Sequence, residues 1–397
     1  MSASPSQSQR RLMSMPFGIA LFSVHFYFAA YFISIVQVPR VLVDEPDWVV
    51  GLVVGVLGVS GMAARPLAGV LVDNGDRQRW MRVGAIATVL TFLGYALSSD
   101  PWVMLIFRLV HGAGMALFTT SLLAMVTGFL PERSRGLGVG VYQSSNAIAQ
   151  LYAAALAVTI SGLTSFQFVF MLGAVAAMVA GLAGVFIVEP ESERLPRVPW
   201  LKRQWISRTG VAPAAVFLSM TTTFGAVQAF LPLYALERDL GNVGLFYSVY
   251  GFSLLISRSI SGALSDRFGR GPVVLPSLLL GSAAMFGLAA TQSQAALMVV
   301  AVAYGIGFAA VQVTVVAMVV DRTPSTLLGA GMATYTMAWD VGAVLGGMLL
   351  GLLVELTSYS LGFLICGFVP LIGFAFFVAK LRPPQPAETA GQANVSP

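Results

Sequence analysis

Apolar stretches of about twenty residues follow one another along the chain, at 15–38, 48–72, 81–98, 102–130, 136–159, 166–188, 211–235, 243–265, 272–291, 294–319, 327–354 and 360–380. Each is long enough to cross the hydrocarbon core of a bilayer as a helix. None alternates strictly, as the strands of a membrane barrel do. A spanning segment must also satisfy its own backbone polar groups, because lipid supplies no partner for them. The pattern predicts an all-α integral membrane protein with twelve transmembrane helices. Polar positions are confined to short connections, with one exception. The charged segment 189–210 (EPESERLPRVPWLKRQWISRTG) interrupts the chain near its middle. The expected plan is a polar tail at 1–14, a six-helix bundle at 15–188, a linker at 189–210, a second bundle at 211–380, and a polar tail at 381–397. That last tail is rich in Pro, Ala and Gln and is expected to be disordered.

Composition agrees. Hydrophobic residues make up 57% of the 397 positions and charged ones 10%, against about 25% charged in soluble domains. Such a chain cannot cover a water-facing surface, so the lipid bilayer is its main partner. The net charge of +5 would suit nucleic acid if it formed a patch. Here the basic residues lie in short loops, so no nucleic-acid partner is expected. With the N-terminus inside, the loops and tails on that side hold most of the Lys and Arg. Only Arg40 and Arg238 fall opposite, and Arg65, Arg108 and Arg258 lie within spans. That bias predicts a multi-pass protein of the cell inner membrane with both termini cytoplasmic. Two histidines, one deep carboxylate and one cysteine offer no metal-ligand spacing. No nucleophile–base pair and no phosphate-binding loop is present. Neither an enzyme nor a metal or cofactor site is expected, and the short loops leave no surface for a partner domain, so a monomer is expected.

The chain also matches itself when shifted by 193 residues. Pro39 meets Pro232; Gly58, Ser60, Arg65, Gly69, Leu71 and Asp73 meet Gly251, Ser253, Arg258, Gly262, Leu264 and Asp266; Gly112 and Gly114 meet Gly305 and Gly307; Leu163-Thr164-Ser165 meets Leu356-Thr357-Ser358. One ungapped offset over more than a hundred residues implies two pseudo-symmetric six-helix bundles related by an axis along the membrane normal. Halves of this kind provide alternating access by rocking about a central site.

These residues resemble the major facilitator superfamily, in the manner of its bacterial efflux members. The loop after the eighth span carries the family's loop motif as Gly262, Leu264, Asp266, Arg267, Gly269 and Arg270. The loop after the second carries a degraded copy in Gly69, Leu71, Asp73 and Arg77, with Asp76 where a glycine is expected. The fourth span reads Arg108-Leu-Val-His111-Gly112-Ala-Gly114, similar to the family's arginine motif of proton-coupled members, usually with Gln at the position of His111. The Gly-Pro antiporter motif of the fifth span is missing. The resemblance implies the fold of that family and a central cavity lined by the first, fourth, seventh and tenth spans, with the second, fifth, eighth and eleventh beside them. The loop motif is expected to act as a cytoplasmic latch. Gly69 and Gly262 allow close approach where the halves meet, Asp73 and Asp266 face helix N-termini across the interface, and Arg267 and Arg270 pair with such acids, Arg77 being the matching residue of the degraded copy.

Residues that break the repeat are where single-substrate chemistry is expected. Asp340 stands opposite Ala147, Arg108 opposite Ala301, His25 opposite Leu218 and His111 opposite Tyr304. Asp340 is the one carboxylate well inside a predicted span, and an ionisable group at that depth faces the bundle interior. It is a candidate proton carrier, or one member of a structural ion pair with Arg108 or a histidine. Arg108 keeps its charge and is a candidate anion site. His25 and His111 are candidate relays. Polar and aromatic stripes at helical spacing suggest a lining for an amphipathic ligand: Phe28, Tyr142, Asn146, Gln150, Gln228, Tyr250, Tyr304, Gln312 and Trp339. The leading expectation is secondary active transport, as proton-coupled efflux of a small amphipathic organic compound or metabolite. The runner-up is proton symport importing an organic anion.

Overall fold

The computed structural model describes residues 15–74, 76–129, 135–187, 207–323 and 328–381. Among them every regular element is a helix: α1 (Met15–Val41), α2 (Asp47–Asn74), α3 (Arg77–Leu97), α4 (Pro101–Phe129), α5 (Arg135–Leu163), α6 (Phe166–Val185), α7 (Arg208–Glu237), α8 (Gly244–Phe268), α9 (Gly271–Ala289), α10 (Gln294–Arg322), α11 (Leu328–Leu356) and α12 (Tyr359–Lys380). α7 begins at Arg208, inside the stretch expected to be linker. Residues 189–206 of that linker, the expected tail at 1–14 and residues 382–397 of the other lie outside the described residues.

Eleven of the twelve helices are long and apolar enough to cross a bilayer. The exception, α8, has the length and lacks the hydropathy. It carries Arg258 and a stripe of buried serines, Ser253, Ser257, Ser261 and Ser265, at a spacing of four. That face packs inside the protein, so its polarity never meets lipid. Repeated sequence produces repeated local structure. Ser165 and Ser358, 193 residues apart, are N-caps whose side chains accept from Phe168 N and Leu361 N at 3.2 and 3.3 Å. Asp76, the departure from the family's first loop motif, caps α3 by accepting from Arg79 N at 3.1 Å. Its carboxylate satisfies one of the orphan N–H groups at a helix start, which a glycine cannot do.

α1 and α7 are the most enclosed spans, and α6 and α12 are among the least. The halves, α1–α6 and α7–α12, meet along two seams, α2 against α11 and α5 against α8. Small residues bring the backbones together there. A Cβ at Gly51 would stand 2.5 Å from Gly347 O, and one at Gly244 would stand 2.8 Å from Ala154 O. No side chain fits at such distances, so these helices touch backbone to backbone.

We call the side where α1 begins the terminus face and the opposite side the far face. Both seams close tightly at the far face. There Glu355 Oε2 accepts from Asp47 N at 2.7 Å, and the Tyr359 hydroxyl donates to Asp47 Oδ1 at 2.5 Å. Across the other seam, Asn242 Nδ2 donates to Thr159 Oγ1 at 3.0 Å.

Candidate functional site

Between the halves, well inside the span, lies a recess lined by Tyr31, Leu57, Gly58, Arg65, Gly112, Met115, Trp339 and Asp340, among others. Its polar centre is a two-pronged ion pair. Arg65 of α2 donates through Nε to Asp340 Oδ2, and through Nη2 to Oδ1 at 3.0 Å. Planar guanidinium against carboxylate is the strongest form of such a contact. The Asp340 side chain is 7% exposed and that of Arg65 24%, on the recess side of the pair. It is an ion pair between the halves, from α2 to α11. Asp340 lies twelve residues into α11, about 18 Å along the helix at 1.5 Å per residue.

The partner of Asp340 is therefore neither Arg108 nor a histidine. Arg108 is enclosed in its own half, 2% exposed, between α1, α3 and α4. Its Nη1 donates to Ser34 Oγ at 3.3 Å, its guanidinium carbon stands 5.7 Å from the Tyr95 ring centroid, and its Nε has no hydrogen-bond partner. His111 lies one turn further along α4, within a wall of rings from Tyr31, Phe92 and Tyr95. Tyr31 belongs to the recess lining and Arg108 and His111 do not. Their neighbours Gly112 and Met115 do reach it.

His25 joins α1 to α5. Its Nδ1 lies 3.2 Å from Ser145 O and its Nε2 2.8 Å from the Tyr152 hydroxyl. A carbonyl only accepts, so Nδ1 carries the proton. Nε2 of the neutral ring then accepts from Tyr152, and a hydroxyl can reverse that bond if the ring becomes charged. The pair is local and half-buried. Tyr152→Phe should cost about 0.5–1.5 kcal/mol, seen as a small drop in melting temperature. Loss of folding would show that the bond holds more of the N-half than its geometry implies.

The expected lining divides between the halves. Asn146 and Gln150 lie on α5 next to Ala147 and Leu151, which meet Gly251 across the second seam. Gln228 Nε2 donates to the Tyr31 hydroxyl at 3.5 Å and links α7 to α1. Tyr250 and Tyr304 of the C-half stack at 5.5 Å and are 1% and 0% exposed. Trp339 stands in the recess with Phe217, Phe224 and Phe308 around it at 5.5–5.6 Å. Phe28 and Tyr142 are packed among the rings and helices of the N-half. Gln312 accepts from Arg258 Nη2 at 2.8 Å.

The loop motif of the C-half is closed on itself. Arg270 donates to Asp266 Oδ1 at 2.7 Å, Asp321 Oδ2 at 2.9 Å and Ser265 Oγ at 2.8 Å. The hydrogen bond with Asp321, followed by that with Asp266, raises the Arg270 pKa further and keeps it charged. Arg267 lies over Phe268. Gly262 faces Val313 of its own half at ordinary contact distance. The close approach expected of it between the halves is made by Gly51, Gly58, Gly244 and Gly251 instead. Arg77 of the other copy donates to Ala124 O at 3.4 Å, Gly69 lies near the end of α2, and the Asp73 side chain lies outside the described residues. Arg65 is the residue that sequence reasoning missed. It obeys the repeat and so read as scaffold, while the signal lay in its partner: a deep acid with no mate needs a cation from the other half.

The comparisons with known proteins agree with this architecture. The staphylopine export protein of Staphylococcus aureus (strain Mu50 / ATCC 700699) is 23% identical over 362 residues, covering 86% of this chain and 89% of its own. A multi-drug resistance efflux pump PmrA homolog of Lactococcus lactis subsp. lactis (strain IL1403) is 24% identical, covering 76% of each. Among solved structures, a POT family transporter in complex with 5-aminolevulinic acid superposes with a TM-score of 0.77 at 13% identity, covering 91% of this chain and 95% of that one. A point mutant of the nucleoside transporter NupG gives 0.68 at 16% identity, covering 91% and 99%. The sequence profile of the Major Facilitator Superfamily matches residues 17–257 and 214–396. With two six-helix halves meeting at a buried recess, this chain is a multi-pass transporter of the cell membrane and not an enzyme, and it belongs to the Major Facilitator Superfamily.

Proposed function

We propose that this transporter exports a small amphipathic organic compound in exchange for protons, and that Asp340 is the group that carries the proton. The observation that supports this most directly is the Arg65–Asp340 bridge. It joins the two halves that must move against each other, through a pair whose carboxylate is buried. Substrate loaded from within displaces the bridge and carries the unprotonated molecule outward; a proton then taken up on Asp340 from the far side keeps the charge off Arg65 while the emptied halves swing back. When the proton leaves, the bridge reforms and favours the arrangement seen here. The basic residues of the loops put the terminus face in the cytoplasm. The closed far face is then the outer gate, and the molecule stands in the state that loads from within. The names of its relatives, exporters of staphylopine and of drugs, support the outward direction.

The test uses purified protein in liposomes with a pH-sensitive dye inside and an imposed proton gradient. A panel of amphipathic aromatic acids and amines is added to the outside of vesicles whose protein is inserted inside-out. A transported compound should accumulate in the vesicles and accelerate decay of the gradient in the same proportion. Accumulation that persists when the gradient is collapsed, with no proton movement, would overturn the coupling.

A further inference from the structure

Three glycines line the recess, and one of them is not required by helix packing. A Cβ at Gly58 would stand 2.9 Å from Asp340 O, and one at Gly112 would stand 2.3 Å from Leu57 O. At both positions backbone fills the place of a side chain. At Gly61 a Cβ would meet only Gly112 O at 3.7 Å and Asp340 Oδ1 at 4.0 Å, which is ordinary contact. The 193-residue repeat sets Leu254 at the corresponding position, where it is buried in the C-half. The side chain missing at Gly61 therefore serves no close approach of backbones. It leaves room on the recess beside one oxygen of the Asp340 carboxylate.

The other member of the ion pair also presents an unused group. Arg65 gives Nε and Nη2 to Asp340, and its Nη1 makes no hydrogen bond among the described residues. The Arg65 side chain is 24% exposed. Around the two charges the lining is apolar, with Tyr31, Leu57, Met115 and Trp339. A ligand that opens this pair has to answer both of its ends. An anion taken by Arg65 in place of Asp340 strands a carboxylate, and a cation taken by Asp340 strands a guanidinium. A lone charge at this depth is costly. A neutral ligand leaves the bridge closed. A molecule with one charge of each sign splits the pair and strands neither partner.

We infer that the substrate is an amphipathic zwitterion of the amino-acid class. Its ammonium lies against Asp340 in the room left by Gly61, its carboxylate takes the Arg65 guanidinium beginning at Nη1, and its flat apolar part lies on Trp339. This deepens the export reading and rests on it, since the substrate is the molecule that displaces the bridge. The ammonium and a proton then exclude each other from one carboxylate, as exchange requires.

Binding is tested on the full chain in lipid nanodiscs at neutral pH, with no proton gradient. The probes are L-tryptophan, tryptamine, which lacks the carboxylate, and indole-3-propionate, which lacks the ammonium. Tryptophan should bind saturably and at least about tenfold more tightly than either, the gain expected from one further charge-assisted contact. Arg65→Gln should erase the preference over tryptamine, and Asp340→Asn the preference over indole-3-propionate. Each variant keeps the ring wall, so exchange at saturating substrate persists. Gly61→Leu sets the repeat's own side chain beside Asp340 and should remove tryptophan binding in a protein that melts as the parent does. The inference is overturned if either single-charge indole binds as tightly as tryptophan, if tryptophan shows no saturable binding, or if Gly61→Leu binds it unchanged. The comparison of probes on the parent chain decides the matter where a variant does not fold. A chain that prefers tryptophan and moves no protons would refute the coupling alone. One that exchanges protons for tryptamine or indole-3-propionate, and does not prefer tryptophan, would refute the zwitterion alone.

Discussion

Asp340→Asn should abolish proton-driven transport and leave a folded protein that still exchanges substrate across the membrane. The two side chains have nearly the same shape, so the fit beside Gly61 is kept. What disappears is the charge, and with it the only described group at this depth able to alternate between gripping Arg65 and releasing it. Removing one partner of a buried pair costs about 3–5 kcal/mol. The low end applies here, because the Arg65 side chain is 24% exposed and the asparagine carbonyl still accepts from it. A lowered melting temperature with an intact monomeric elution profile is expected. Arg65→Gln should uncouple in the same way. The double variant Arg65→Gln, Asp340→Asn should be more stable than either single one, because it leaves no lone charge behind. Counterflow of labelled substrate without a gradient should survive in all three, while gradient-driven accumulation should not. Full accumulation in Asp340→Asn would remove the aspartate from the coupling step.

Some of this was legible in the sequence and some was not, for identifiable reasons. The twelve helices followed from hydropathy because lipid imposes one rule on every span. α8 was readable by its place in the repeat, although its serine stripe lowers its hydropathy below that of the other spans. The 193-residue offset foretold two halves, and it also fixes the register of both seams, since Gly58 and Gly251 recur at equivalent contacts. Asp340 stood out because nothing in the other half matches it. Its partner did not, because periodicity reports which face a residue occupies and says nothing of which side chain on another helix will meet it. Arg108 and His111 looked central by the same periodicity. In the folded chain Tyr31, whose ring meets that of His111, lines the recess and these two do not, and the depth of a residue along a helix cannot reveal that difference. The loop motif read as a bridge between halves, yet Arg270 finds both its acids in its own half, since the terminus-face ends of the halves share no bridge that the structure describes.

Gly51→Leu combined with Gly244→Leu should hold the far face open. At both positions an added side chain meets backbone, 2.5 Å from Gly347 O and 2.8 Å from Ala154 O, and backbone cannot swing aside as a rotamer does. The helices must part or the substitution is not accommodated. Each half keeps its own packing when they part, because these glycines face only the opposite half. The strain therefore falls on the closed arrangement alone. Overpacking of this kind costs about 1–3 kcal/mol per site. A bias of that size shifts a two-state equilibrium by about 5- to 150-fold, and two sites on separate seams act in the same direction. Spin labels at Asp44 and Thr357, both exposed on far-face loops of opposite halves, should report a longer separation in the double variant. Transport should fall by a similar factor, because a carrier that cannot close one gate cannot complete its cycle. An unchanged label distance together with normal transport would mean that far-face closure does not depend on these glycine contacts, and that the seams are held by the Asp47–Glu355–Tyr359 cluster instead.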